Sequence, residues 1–191
     1  MRARPITKTA SGRLGRLAAR FAKGHAGSAV VEFALVALPF LALVMGVLEI
    51  SMIYLVSTSL DNATSDVARK IRTGELQTAG GATASTFASA ICGELSWLGP
   101  NCNANLYVDV RTFASFTSIS QPSPVANGQV NQAALQFNPG AAGDIVLVRS
   151  FYQWTLFTPA LDGMAATLNG GSTLITATAA FKNEPYSVSA S

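Results

Sequence analysis

The spacing of hydrophobic positions changes along the chain. From Phe33 to Val56 nearly every residue is apolar (FALVALPFLALVMGVLEISMIYLV). As a helix these 24 residues measure about 36 Å, enough for a bilayer core of about 30 Å. No charge falls between Phe33 and Leu48, and after Glu49 none follows until Asp61. A run apolar on every face with a basic flank predicts a membrane helix rather than a buried core helix. It exceeds the roughly 7–15 apolar residues of a secretory signal, and Tyr54–Leu60 offers no A-x-A-like end. Pro39 lies inside the span, where a kink is tolerated. Glu49 stands near its outer end and is expected to reach the headgroups, the alternative being an intramembrane role.

Past the span the period becomes one-sided. Val56, Leu60, Ala63, Val67 and Ile71 recur every three or four residues and predict an amphipathic continuation, with Gly74 as its stop. Asp66 and Lys70 are expected to pair across one turn. Strands are predicted at Leu106–Phe113, where Leu106, Val108 and Val110 alternate with Tyr107, Asp109 and Arg111, at Ile145–Phe157, and at Thr173–Phe181. Short helices are predicted near Ala82–Cys92 and Pro159–Asn169. Residues 114–144, rich in Ser, Pro, Asn, Gln and Gly, read as a long loop with a short turn at 130–136. The predicted class is α+β: a long N-terminal transmembrane and amphipathic helix packed on a small antiparallel sheet.

Composition agrees with a membrane segment: 49% of the 191 residues are hydrophobic, 12% are charged, and the mean hydropathy is +0.34. The net charge of +3 conceals an asymmetry. Arg2, Arg4, Lys8, Arg13, Arg16, Arg20 and Lys23 are seven of thirteen basic residues, and no acid precedes Glu32. Residues 28–191 carry six basic and ten acidic side chains, a net of −4. Such an arm suits nucleic acid or the cytoplasmic side of a membrane, and the adjoining apolar run favours the membrane. The division expected is 1–27 as a basic cytoplasmic leader, 28–56 as the transmembrane helix and 57–191 as a periplasmic domain.

The junction of arm and helix reads Gly27-Ser28-Ala29-Val30-Val31-Glu32-Phe33. A Gly ends the acid-free arm, a carboxylate lies five residues on, and the apolar run begins at once. Here the chain resembles the type IV pilin superfamily, and more narrowly the TadE-like pseudopilins of tight-adherence (Tad) pilus systems. Many of these have Tyr where Phe33 stands. Arg69-Lys70-Ile71-Arg72-Thr73-Gly74, Cys92, Cys102 and Asn183-Glu184-Pro185-Tyr186 also resemble the family pattern. The resemblance implies a pilin-like fold and cleavage between Gly27 and Ser28 by a prepilin peptidase. It implies a minor pilin that helps assemble a pilus for adhesion and surface colonisation. Its partners would be that peptidase, a sister pseudopilin, the major pilin, the inner-membrane assembly platform and membrane lipid, with no nucleic acid. It would sit in the bacterial inner membrane, or in the extracellular pilus. Glu32 would neutralise the new α-ammonium at Ser28, a charge that is costly in lipid.

Cys92 and Cys102 enclose nine residues. An oxidising periplasm favours a disulfide; two free thiols or half a metal site are the alternatives. No His beyond His25 and no further Cys support metal, and no cofactor is expected. Catalysis is not expected either: Ser and Thr lack a partner base, and Asp109, Asp144 and Glu184 show no paired-acid spacing and are expected at solvated positions or turns. A Ser–Lys pair using Lys70 or Lys182 defines one alternative, a membrane-anchored hydrolase. An unprocessed single-pass periplasmic adaptor defines the other. Tyr107, Tyr152 and Trp154 are expected either in the core or on a partner surface.

Overall fold

The computed structural model describes residues 25–79 and 82–186, with 25–28 and 160 as backbone only. The basic arm up to residue 24 lies outside the described residues. Two compact units meet between Met45 and Gly46. Helix α1, His25–Arg72, runs through Pro39 and across that junction. Within it, Ala29–Arg72 is long and apolar enough to cross a membrane by length and composition.

In the first unit α1 is apolar and exposed on nearly every side. From Gly46 onward one stripe of α1 is buried: Gly46, Glu49, Val56, Leu60, Ala63, Val67 and Ile71, with Ile53 partly covered. The steps of three and four keep these residues on one face. Each fully buried Val, Leu or Ile contributes about 1.5–3 kcal/mol. Asp66 and Lys70 stand exposed on the opposite face. The ion pairs among the described residues do not include them, because solvent competes for both.

The stripe packs on a three-stranded antiparallel sheet, so the class is the α+β one expected. Its strands are β1 (Leu106–Phe113), β4 (Ile145–Thr155) and β5 (Ser172–Lys182), in the order β1-β4-β5. Leu106 faces Tyr152 and Phe113 faces Ile145; Ile145 faces Lys182 and Thr155 faces Ser172. This register puts Leu106, Val108, Val110, Val146, Val148, Tyr152, Ile175 and Ala177 into the core shared with α1. Tyr152 and Trp154 belong to that packing, whereas Tyr107 lies half-buried on the other face. Helix α2, Ala84–Glu94, starts from a Thr83–Thr86 capping box and contributes Phe87 and Ile91. The near-Pro159 helix is shorter than predicted, Pro159–Leu161 followed by Asp162–Ala165.

Residues 114–144 lack long elements, as expected, but they cover the second face of the sheet. Two short strands, β2 (Val125–Ala126) and β3 (Gln129–Val130), form a hairpin through Asn127 (φ 53°) and Gly128 (φ 72°). Positive φ at both central residues suits Asn-Gly, a strong hairpin signal in the sequence. A short turn, Gln132–Ala134, follows.

This cover corrects the expectation for Asp109, which is fully buried rather than solvated. It sits directly across from Arg149. Arg149 Nη2 donates to Asp109 Oδ2 at 2.6 Å, and Arg111 Nε donates to the same oxygen at 2.9 Å. Arg149 Nη1 donates to Pro122 O, Arg111 Nη2 to Ala134 O, and the Gln136 N–H to Asp109 Oδ1. A charged cluster thus ties the loop to the sheet, with the Arg149 guanidinium over the Phe151 ring at 5.2 Å. Burial pushes the Asp109 carboxyl upward, but the bonds from Arg111, Arg149 and the Gln136 N–H outweigh it and hold the carboxyl below its ordinary 3.8.

A folded pKa below the unfolded one adds stability that is present above pH 3.8 and lost as pH falls through the folded value. Urea unfolding of the full chain in detergent, followed by tryptophan fluorescence, should therefore show a decline below that pH, flattened in Asp109→Asn. Asp109→Ala strands Arg149 without its carboxylate and should cost about 3–5 kcal/mol.

Candidate functional site

The functional residues expected from the sequence fall at two places on α1. Gly27, Ser28, Glu32 and Phe33 lie in its first turns, with Phe33 and Glu32 exposed. Glu32 is one turn beyond Ser28, the spacing at which a side chain can face the backbone amine of that residue.

The second place is the end of α1. Arg69 O accepts the Thr73 N–H at 2.9 Å, and Ile71 O accepts the Gly74 N–H at 3.1 Å. Gly74, at φ +80°, turns the chain into the one-turn helix Glu75–Thr78. This is the left-handed stop that glycine adopts without a Cβ penalty. Ile71 is buried in the core, and the Thr73 hydroxyl donates to Glu75 Oε1 at 2.9 Å.

The near-terminal motif closes over this stop. The Glu184 N–H donates to Arg72 O at 2.9 Å, and the two side chains form an exposed ion pair at 3.1 Å. Asn183, buried, donates from Nδ2 to Pro139 O at 2.9 Å and Ala141 O at 3.0 Å. The Tyr186 hydroxyl donates to Gly140 O at 3.2 Å. Burial and the nearby Asp144 carboxylate push its phenol upward, so it remains a donor at neutral pH. Gln77 Nε2 bridges Ile71 O and Pro139 O. The Tyr186 ring lies directly on Gly74: a Cβ there would clash with Tyr186 Cγ. Pro185, exposed, carries the chain between these contacts. Two sequence motifs more than a hundred residues apart are therefore one clasp. Glu184 and Asp144 keep the expected solvated and turn positions, the latter accepting the Ala141 N–H at 2.8 Å.

Cys92 and Cys102 are joined, their Cα atoms 5.8 Å apart, linking the end of α2 to the turn before β1. Loop closure of this length contributes about 3 kcal/mol. Among the described residues no group of His, Cys, Asp and Glu could hold a metal ion.

Residues 27–69 match the family model described as TadE-like protein. Over this segment the chain is similar to TadE-like proteins. Neither a curated protein nor a solved structure matches it. The family belongs to Tad pilus systems as a structural component rather than an enzyme. The matched segment covers nearly all of α1 and ends before the clasp at Gly74.

Sequence reasoning missed one residue within that segment. Glu49 does not reach outward; it is fully buried. Its Oε1 accepts the Phe157 N–H at 2.7 Å and its Oε2 accepts the Thr158 N–H at 2.8 Å. Both oxygens are occupied by backbone donors of the β4–β5 connection, which satisfies the carboxylate without a cation. The signal was its phase: Gly46, Glu49, Ile53 and Val56 extend the buried stripe backwards.

Gly74→Ala should lose about 1–2 kcal/mol from the left-handed backbone and more from the Tyr186 contact. Adding Tyr186→Ala should recover the steric part, giving a non-additive double-mutant cycle in urea unfolding. Glu49→Ala leaves the part-buried Phe157 N–H and the buried Thr158 N–H without acceptors and should cost about 2–6 kcal/mol, from roughly 1–3 for each.

Proposed function

We propose that this TadE-like protein is a minor pilin, a pseudopilin processed by a prepilin peptidase and needed to assemble a Tad-type pilus. The match over residues 27–69 carries this reading, because it starts at Gly27 and follows the helix that a pilin would use for packing.

The steps follow from the charges. The basic arm holds the N-terminus on the cytoplasmic side, and α1 crosses the inner membrane with the body in the periplasm. Hydrolysis of the Gly27–Ser28 peptide bond adds water across it, leaving a carboxylate on the leader and an α-ammonium on Ser28. Glycine before the cut lets an active site approach the backbone closely. The ammonium meets two penalties: a low dielectric and the positive end of the helix dipole. Glu32, four residues on, supplies the opposite charge within the chain or on a neighbouring subunit.

The exposed residues of α1 supply the packing surface. Val30, Phe33, Val36 and Phe40 are each more than 60% exposed. Lipid covers them in the membrane, and helices of a sister pseudopilin and the major pilin cover them when subunits bundle. The helix therefore exchanges one apolar environment for another, and the Ser28–Glu32 charge pair sets the register. The assembly platform supplies the work of extraction. The protein performs no chemistry itself.

Intact mass of the native membrane form should show a chain beginning at Ser28. Gly27→Ala should accumulate heavier by the mass of the leader, and both it and Glu32→Ala should impair piliation. A native chain that retains the leader while pili form normally overturns the reading.

A further inference from the structure

The connection between β4 and β5 meets α1 at Gly46 and Glu49 and is largely apolar. From Phe157 to Leu168 (FTPALDGMAATL) it carries one charge, Asp162. Phe157 is 46% exposed and Met164 86% exposed. Glu49 clamps the start of this loop through the Phe157 and Thr158 N–H groups. Leu161 reaches to 3.9 Å from where a Cβ on Gly46 would stand. The loop is therefore held at the level of residues 46–49.

That level lies inside the expected transmembrane segment 28–56; with the hydrocarbon core taken as about 20 helical residues counted from Ala29, the core ends at Leu48, beside the loop. On the face of α1 away from the loop, Val47, Leu48, Ile50 and Met52 are also exposed and apolar. An apolar collar thus surrounds the helix where it leaves the membrane. The loop satisfies much of its backbone internally, through Leu161 N–H to Thr158 O, Ala166 N–H to Asp162 O, and Thr167 and Leu168 N–H to Ser172 O. These bonds lower the number of donors that the loop would bring into the headgroup zone.

We propose that the Phe157–Leu168 loop is a lipid-contacting element, seated in the headgroup region of the outer leaflet with Phe157 and Met164 inserted toward the acyl chains. The occupant is a phospholipid surface. Glu49 makes the arrangement possible: the same two N–H groups that fix the loop shield the one carboxylate of the apolar run from lipid. The loop then adds a second lipid contact to that of α1. This inference rests on α1 spanning a membrane, as the proposed function has it.

The test uses the full chain in vesicles of phosphatidylethanolamine and phosphatidylglycerol. Because Cys92 and Cys102 are joined, an introduced cysteine takes up an environment-sensitive fluorophore selectively. Three variants suffice: Met164→Cys in the loop, Leu38→Cys in the span, and Thr178→Cys on β5, all exposed positions. The labels at Leu38 and Met164 should lose most of their emission to doxyl-bearing lipids, that at Met164 more to a shallow doxyl group than to a deep one. The label at Thr178 should respond only to aqueous iodide. If the Leu38 label is quenched from lipid while the Met164 label behaves like that at Thr178, the loop faces water and the proposal falls. Shielding of the Met164 label from both quenchers means that protein covers the loop, and the proposal falls equally. Failure of the Leu38 label to respond to lipid removes the membrane reading itself, and the proposal with it.

Discussion

A single helix has to satisfy two solvents. Up to Met45, α1 is apolar all round; from Gly46 to Ile71 it buries one stripe on a sheet and shows the rest outward. The buried stripe begins at Gly46, within the apolar run of the sequence. Gly46, Glu49 and Val56 are the result: residues that lie within the apolar run by composition and within the body by packing. Glu49 ties this part of α1 to the β4–β5 connection through both oxygens.

The far end of α1 is fixed by a different device. Gly74 ends the helix because its backbone adopts a conformation that other residues resist, and the missing Cβ makes room for the Tyr186 ring. Asn183 and Glu184 follow directly on β5, so the last strand delivers the clasp to the helix stop. Helix, sheet and the turn at 139–144 are joined there by short polar contacts rather than by area. Together with the Cys92–Cys102 bond and the Asp109 cluster, this distributes the restraint over a body with one modest core.

For a pilin reading, the division of labour is coherent. The helix carries the apolar surface that another helix can cover, whereas the body carries specific polar closures that assembly need not disturb. Two carboxylates are engaged structurally, Asp109 by two arginines and Glu49 by two backbone donors.

The apolar run, the stripe from Val56 to Ile71, the stop at Gly74 and three strands were legible because each is a local periodicity or a local backbone requirement. The Gly27–Phe33 pattern that carries the resemblance is likewise local, lying within seven residues, and the family match starts at its first residue. The Asn127-Gly128 hairpin was legible in principle, from the turn chemistry of those two residues. Asp109 and Glu49 were misjudged because the fate of a carboxylate depends on what covers it. The cover comes from residues 122–136 in one case and 157–158 in the other. Periodicity states which side a residue faces but not whether a distant loop lies on that side. The sequence alone determined the elements and the charge pattern, since these depend on neighbours along the chain. Only the tertiary structure decided which charges are buried and which motifs meet, because desolvation and hydrogen bonding are set by residues brought close in space.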